Sequence, residues 1–382
     1  MTRAIANKVL IMAGGTGGHV FPALTIGTEL LARGLQVEWL GTRHGLEARV
    51  IGATKIPLHF ISITGLRGAS VFKKILAPFF ILIAVLQAVF KIWKIKPVCV
   101  LGMGGFVTGP GGLAARILGK KLLIHEQNAV AGLTNQLLFP FANVVMEAFP
   151  GAFLRKNQLS QKSLLRFFTS STRTTVVGNP VRSDILSLAE PAQRFAAHSG
   201  KLRLLVLGGS LGAKAINEIM PLVLASFSAN ERPLIRHQCG NRNLESTTQD
   251  YLKLGLMLND DLQLTSFIDD MAAAYGWADI IVCRAGASTI AEIAAIGLAS
   301  ILVPYPHAVD DHQTANAQIL QQVKAAKVFF QHELSVATLA VVLREYAADR
   351  GLLLKQAQAA RTVAIRDASS RAADLCEELC RG

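Results

Sequence analysis

Two stretches, KVLIMAGGTGGH at residues 8–19 and LRLLVLGGSLGA at residues 202–213, decide how this chain is built. Each is an apolar run, a double glycine, a small hydroxyl residue (Thr16 or Ser210), another glycine and then a segment of helical period. A strand ending in Gly-Gly can turn sharply, because glycine adopts positive φ without a Cβ penalty. The turn leads backbone N–H groups into a helix N-terminus that carries about half a positive charge, which makes an anion site. Two copies of one phosphate-binding βα design predict two domains of one kind, facing each other across a cleft.

Outward from these loops, short β-branched runs alternate with longer segments of helical period. Strands are predicted at 9–13, 36–40, 58–61, 98–101, 121–125 and 144–148, then at 202–207, 234–238, 262–267, 279–283, 299–303 and 327–330. Strands separated by helices make parallel sheets covered on both faces, so the expected fold is α/β with two Rossmann-like, doubly wound domains. A Ser/Thr-rich stretch at 169–184 (TSSTRTTVVGNPVRSD) reads as the last strand of the first domain running into a linker. Domains are expected at 1–178 and 179–362, followed by a helix at 363–382; residues 351–382 are Ala-rich with helical spacing.

Composition narrows the function. The chain has 382 residues, 51% hydrophobic and 17% charged, with 39 Lys+Arg against 26 Asp+Glu for a net +13. About 25% charged is usual, and a disordered chain would be rich in charge and poor in apolar residues. Five cysteines without a C-x-x-C pair support neither a disulfide framework nor a zinc ribbon, and a reducing compartment is expected. Residues 1–8 read as a polar lead into a strand, not a secretory signal. The positive excess points to an anionic partner. Nucleic acid is not expected, since aromatics are 7% and no basic-aromatic stripe or RNA module appears.

The long apolar run is 75–90, sixteen residues without a charge, just short of the roughly 17 that span hydrocarbon. A predicted strand follows it at once, so a spanning helix would put neighbouring strands on opposite sides of a bilayer. Its flanks carry Arg67, Lys73, Lys74, Lys91, Lys94 and Lys96. At about 1 kcal/mol per cation near an anionic leaflet, six contribute up to roughly 6 kcal/mol. The two readings are a buried crossover helix with solvated ends and a membrane-docking surface built on Lys73, Lys74, Ile75, Leu76, Phe79, Phe80, Leu82 and Lys91.

A third glycine cluster, GMGGFVTGPGG at 102–112, follows the strand at 98–101. Three such loops at strand C-termini suit a doubly wound ligand site, and Gly14, Gly15, Gly104 and Gly105 are candidates to hold a pyrophosphate. A nicotinamide dinucleotide site is the competitor. Glu38 stands where a ribose-binding acid belongs, but the third glycine of G-x-G-x-x-G is replaced by Val20 in the first loop and missing from the second. His19, at the mouth of the first helix, is the preferred general base, and Glu126 in His125-Glu126-Gln127-Asn128 is its rival. In the segment Ala287, Ser288, Thr289, Ile290, Ala291 and Glu292, either a capping box or a carboxylate for ribose hydroxyls is read, with Glu292 in the first turn. His307 and His312 flank Asp310 and Asp311, but no third nitrogen or thiolate lies close, so no metal site is expected.

Together MAGGTGGHVFPAL, GMGGFVTGPGG, HEQNAVAGLTN, VVGNPVR, GGSLGA and CRAGASTIAEIAAIGLASILVPYPHAVDDHQTANA, in that order between about residues 8 and 331, resemble glycosyltransferase family 28. The resemblance is to its N-acetylglucosaminyltransferases of peptidoglycan synthesis. It implies a GT-B enzyme, inverting and without metal or cofactor, that moves N-acetylglucosamine from UDP-N-acetylglucosamine to undecaprenyl-pyrophosphoryl-muramoyl-pentapeptide. It implies a peripheral position on the cytoplasmic face of the bacterial inner membrane, with cell-wall synthesis and division proteins as partners. The last helix would cross back to the first domain. By the same resemblance Thr16, Gly17, Gly18 and Asn128 contact the donor sugar, Arg182 and Ser210 the diphosphate, and Ile268 the uracil. Ala287 through Glu292 wrap phosphate and ribose, and Gln313 reaches the sugar. Ala285 stands where some relatives have Ser, and Ser288 where many have Leu.

Overall fold

The structure, a computed structural model, describes residues 7–64, 76–154, 172–209, 212–306, 308 and 311–381. The chain divides into two compact units, residues 1–181 with 365–382 and residues 182–364.

Unit 1 runs β1 (Lys8–Met12), α1 (Gly17–Ala32), β2 (Gln36–Gly41), α2 (Leu46–Gly52), β3 (Leu58–Phe60), α3 (Ala77–Ile95), β4 (Cys99–Gly102), α4 (Thr108–Ile117), β5 (Lys121–Glu126), α5 (Leu133–Leu138), β6 (Val144–Glu147) and β7 (Arg173–Val176). Its strands pair in parallel in the order β3-β2-β1-β4-β5-β6-β7. Strand β7 comes from the Ser/Thr-rich stretch; residues 169–171 of it lie outside the described residues. Because strand side chains alternate, Val9 and Ile11 enter the core under α1 while Leu10 and Met12 enter the one under α3 and α4.

The terminal helix, Ala368–Arg381, completes the first of these cores. Ala372, Ala373, Leu375, Cys376 and Cys380 are buried against α1 and β4, with Cys380 Sγ 3.5 Å from Cys99 Sγ. At its polar edge Arg33 Nη1 donates to Asp374 at 2.6 Å, and Arg173 Nη1 donates to Glu378 at 3.0 Å. The cysteines therefore serve as small apolar packing groups; all five are buried and unbridged.

The apolar run is a crossover helix with one buried and one exposed face. One face of α3 (Ala84, Val85, Ala88, Ile92) is buried in the unit, while Phe79, Phe80, Leu82, Leu86, Phe90 and Trp93 are exposed, Trp93 at 61%. The exposed apolar set continues through Leu113 and Ile117 of α4 and Leu133 and Leu137 of α5. Arg67, Lys73, Lys74 and Ile75 lie outside the described residues.

Unit 2 runs α6 (Ser183–Leu186), α7 (Pro191–Ala197), β8 (Arg203–Leu207), α8 (Lys214–Ala225), β9 (Leu234–Gln238), α9 (Leu244–Lys253), β10 (Leu262–Thr265), α10 (Met271–Trp277), β11 (Ile280–Cys283), α11 (Ala287–Ile296), β12 (Ala299–Leu302), α12 (His312–Gln322), β13 (Ala326–Val328), α13 (Val336–Ala348) and α14 (Arg350–Arg361). Its parallel sheet has the order β10-β9-β8-β11-β12-β13. The expected strand at 262–267 stops at Thr265, and Phe267 beyond it is exposed.

In both sheets the first strand lies inside, and the chain winds first to one side and then to the other. The order reverses between β1 and β4, where Met12 pairs with Gly102, and between β8 and β11, where Leu207 pairs with Cys283. Such a switch point opens a crevice at the strand C-termini.

Close packing beneath the first switch point makes a stability test. A Cβ at Gly111 of α4 would overlap Met12 Sδ and lie 3.4 Å from Leu40. Gly111→Ala is expected to cost about 1–3 kcal/mol, read as a fall of several degrees in Tm by calorimetry.

Candidate active site

At the first switch point the loops after β1 and β4 touch. Gly105 has φ +80°, and a Cβ there would fall on the Gly14 carbonyl oxygen. Only glycine satisfies both demands. The β1 loop is held from below by Glu47, a buried carboxylate at the start of α2. Its Oε1 accepts from Thr42 N at 2.8 Å and Thr42 Oγ1 at 2.7 Å, and its Oε2 accepts from Gly15 N at 3.2 Å. Of the glycines expected to hold a pyrophosphate, Gly15 donates its amide to Glu47, and a Cβ on Gly14 would meet Glu47 and Val107. The amides that remain open are those of Gly17 and Gly18, since His19 N and Val20 N turn back onto Thr16 O.

Thr16 is the N-cap of α1, and its Oγ1 lies 3.2 Å from His19 Nδ1. The opposite ring edge faces the other loop, because a Cβ on Gly104 would meet His19 Nε2 at 3.1 Å. The sequence reading of His19 at the mouth of the helix therefore places its Nε2 at the switch point.

Glu126, at the end of β5, is buried and accepts four hydrogen bonds. They come from Asn128 N (2.9 Å), Asn128 Nδ2 (3.0 Å), Gly132 N (3.0 Å) and Asn135 Nδ2 (2.8 Å). It organises the 126–135 turn. His125 beside it is fully buried, and burial pushes its pKa down to about 4, so the ring is neutral and Nε2 donates to Gly178 O at 2.9 Å.

The second switch point repeats the design. Gly208 N donates to Gln238 O at 2.8 Å, and the Gln238 side chain clamps Gly209 N and O at 2.9 and 3.0 Å. Ser210 lies outside the described residues, as do His307 and Asp310. Helix α11 opens from the N-cap Gly286 with no side-chain cap, so the capping-box reading is corrected, and Glu292 falls in the second turn. The extended Gly286 is the N-cap, and the amides of Ala287, Ser288 and Thr289 have no partner among the described residues, since Ile290 N is the first to bond back, to Gly286 O. The Ser288 hydroxyl oxygen is buried without a partner.

Around this helix end stand the other expected residues of unit 2. Glu292 Oε2 accepts from Tyr275 Oη at 2.7 Å, and Arg182, N-cap of α6, acts on the same carboxylate. Burial holds the Glu292 carboxyl above its ordinary range, against the pull of Tyr275 and Arg182. Gln313 Oε1 accepts from Tyr305 N (2.9 Å) and Ala285 N (3.2 Å), while its Nε2 has no partner among the described residues. Ile268 is half-buried just beyond β10.

Two family models match in order, the glycosyltransferase family 28 N-terminal domain over residues 9–147 and its C-terminal domain over 203–376. The chain belongs to glycosyltransferase family 28. A Marinobacter nauticus relative is 47% identical over 100% of both chains, and one from Cellvibrio japonicus 48% identical over 98% of this chain and 99% of its own. Both are named UDP-N-acetylglucosamine–N-acetylmuramyl-(pentapeptide) pyrophosphoryl-undecaprenol N-acetylglucosamine transferase. The crystal structure of Acinetobacter baumannii MurG matches with TM-score 0.78 at 40% identity, covering 97% of this chain and 99% of that one. A UDP-glucosyltransferase from Polygonum tinctorium, 13% identical over 100% of both chains with TM-score 0.69, shares the fold alone. This family-28 glycosyltransferase thus has the two doubly wound domains of the GT-B class, and its glycine loops are not those of a nicotinamide enzyme.

Two residues of this family-28 site carry no sequence signal. Glu47 is a lone acid in a short helix, although Gly14, Gly41 and Gly45 all owe their lack of a side chain to its carboxylate. Tyr275 reads as an ordinary core residue of an amphipathic helix. Glu47→Ala would strand the Thr42 amide and hydroxyl and the Gly15 amide in a dry site. It is expected to cost about 1–3 kcal/mol in urea unfolding and to lower sugar transfer with it, while Glu47→Gln, which keeps one acceptor oxygen, loses less of both.

Proposed function

We propose that this enzyme transfers N-acetylglucosamine from UDP-N-acetylglucosamine to the 4-hydroxyl of undecaprenyl-pyrophosphoryl-N-acetylmuramoyl-pentapeptide, by direct displacement with inversion. The observation that carries the reading is one switch point offering open helix amides beside a ribose-suited carboxylate, and another offering a histidine in a glycine loop. Full-length relatives at 47–48% identity bear that activity in their names.

In this reading unit 2 takes the donor. The amides of Ala287, Ser288 and Thr289, with Arg182 and Ser210, meet the diphosphate; Glu292 accepts from the ribose hydroxyls, and Ile268 borders the uracil. Gln313, whose Nε2 has no partner among the described residues, reaches the sugar. Unit 1 takes the acceptor. With a proton on Nδ1 donated to Thr16 Oγ1, His19 presents Nε2 as the acceptor of the 4-hydroxyl proton. As that oxygen bonds to the anomeric carbon, the bond from that carbon to the UDP oxygen breaks on the opposite face. The charge growing on UDP is met by preorganised amides and Arg182. Glu126 suits the base role less, because its four hydrogen bonds hold the turn that presents Asn128.

The exposed face of α3, with Phe79, Phe80 and Leu82 at one end and Lys94 at the other, flanked by the half-buried Leu76 and Lys91, supports peripheral docking on the anionic cytoplasmic leaflet of the inner membrane. Exposed apolar residues on three helices of unit 1 suit a lipid-linked substrate better than a freely diffusing one.

Two measurements test the chemistry. Radiolabelled sugar transfer is expected to persist in EDTA; complete loss, restored by magnesium, would overturn direct stabilisation by amides and Arg182. His19→Ala is expected to lower kcat by about 10²–10⁴-fold with donor saturating, and a near-normal kcat would move the base role to Glu126.

A further inference from the structure

Tyr275 takes no part in the chemistry above, yet among the described residues it is the side chain that hydrogen-bonds the Glu292 carboxylate. The residue sits in the last turns of α10 with no accessible surface, and its hydroxyl reaches Glu292 Oε2 across the gap to α11 at 2.7 Å. Glu292 is itself only half-buried, and its Oε1 has no hydrogen-bond partner among the described residues. One oxygen is therefore pinned from inside the unit and the other left for a ligand. A carboxylate that accepts two neighbouring ribose hydroxyls must hold its plane, and a side chain with three rotatable bonds does so only when something anchors it.

We infer that Tyr275 is a positioning residue for the nucleotide donor, holding Glu292 so that Oε1 is presented to the ribose diol. The inference rests on the reading of Glu292 as the ribose ligand. The groups facing this carboxylate are Tyr275 from α10, Arg182 and Asp184 from the start of α6, and Cys283 from the end of β11. Burial and Asp184 favour the protonated acid, while the phenol and Arg182 favour the carboxylate. Removing the phenol therefore moves protonation to higher pH. A protonated Glu292 loses acceptor capacity toward the diol.

Tyr275→Phe deletes one oxygen from a fully packed ring. With lipid acceptor saturating, the variant is expected to raise KM for UDP-N-acetylglucosamine about tenfold with kcat little changed. The acidic limb of its kcat/KM profile moves to higher pH. It also discriminates less than the parent against the 2′-deoxyuridine analogue of the donor. A Tyr275→Phe enzyme with parental KM, pH limb and discrimination overturns the inference. So does one whose only change is a lower Tm with a uniform loss of activity, which marks a packing role. Glu292→Ala, measured in parallel, separates the two levels. If it raises KM and Tyr275→Phe does not, the role of Tyr275 alone falls. If it leaves KM unchanged, the ribose reading falls and takes the inference with it.

Discussion

Two backbones that must touch leave no space for a Cβ, and this contact governs the catalytic end of unit 1. A parallel sheet wound in both directions from an interior strand brings the loops after β1 and β4 together at their tips. Gly105 against the Gly14 carbonyl is that meeting, and the His19 ring against Gly104 is its consequence. Everything around the pair serves to keep it closed. Thr108 Oγ1 donates to Met12 O at 3.0 Å, Gln127 Nε2 donates to Met103 O at 2.9 Å, and Trp39 Nε1 donates to Ala13 O at 3.0 Å. Gln127 and Trp39 satisfy carbonyls of the crowded turn, and Thr108 adds a second donor to Met12 O, which also accepts from Met103 N at 2.9 Å. The glycines are thus demanded by sterics before any ligand arrives, and the outward amides follow from the same geometry.

That distinction explains what could be read from the sequence. The strands were legible because a parallel sheet buried on both faces writes itself as short continuous apolar runs. The switch-point loops were legible because each combines a strand end, a glycine pair and a helix start. Glu47 was not, since its partners Thr42 and Gly15 are chosen by the packing of α2 beneath the loop. The start of α11 was not legible because Ser288 and Thr289 are good caps by type, whereas the helix begins ahead of them from the extended Gly286. For the apolar run, sequence offered core and surface as alternatives. The helix is wide enough to be both, one stripe against β4 and α4 and another facing out.

Fold and chemistry separate cleanly here. A scaffold shared with a 13% identical glucosyltransferase shows the fold alone. What individualises the site is the residue set at each switch point, and much of it is second-order: a carboxylate that shapes a loop, a carboxamide that clamps another, a phenol behind an acid. Such residues tune orientation within tenths of an ångström, where catalysis is most sensitive.

The terminal helix has a consequence for how the protein is made. Ala372, Ala373, Leu375, Cys376 and Cys380 belong to the core that Val9, Ile11 and Leu101 begin. The first unit to leave the ribosome is therefore the last to be completed, its sheet lacking part of one cover until the final residues have emerged. For the whole time that unit 2 is being synthesised, Cys99 and its neighbours face solvent or a chaperone. A chain cut short near residue 364 would leave unit 1 with an open apolar seam where Ala372, Leu375 and Cys376 belong.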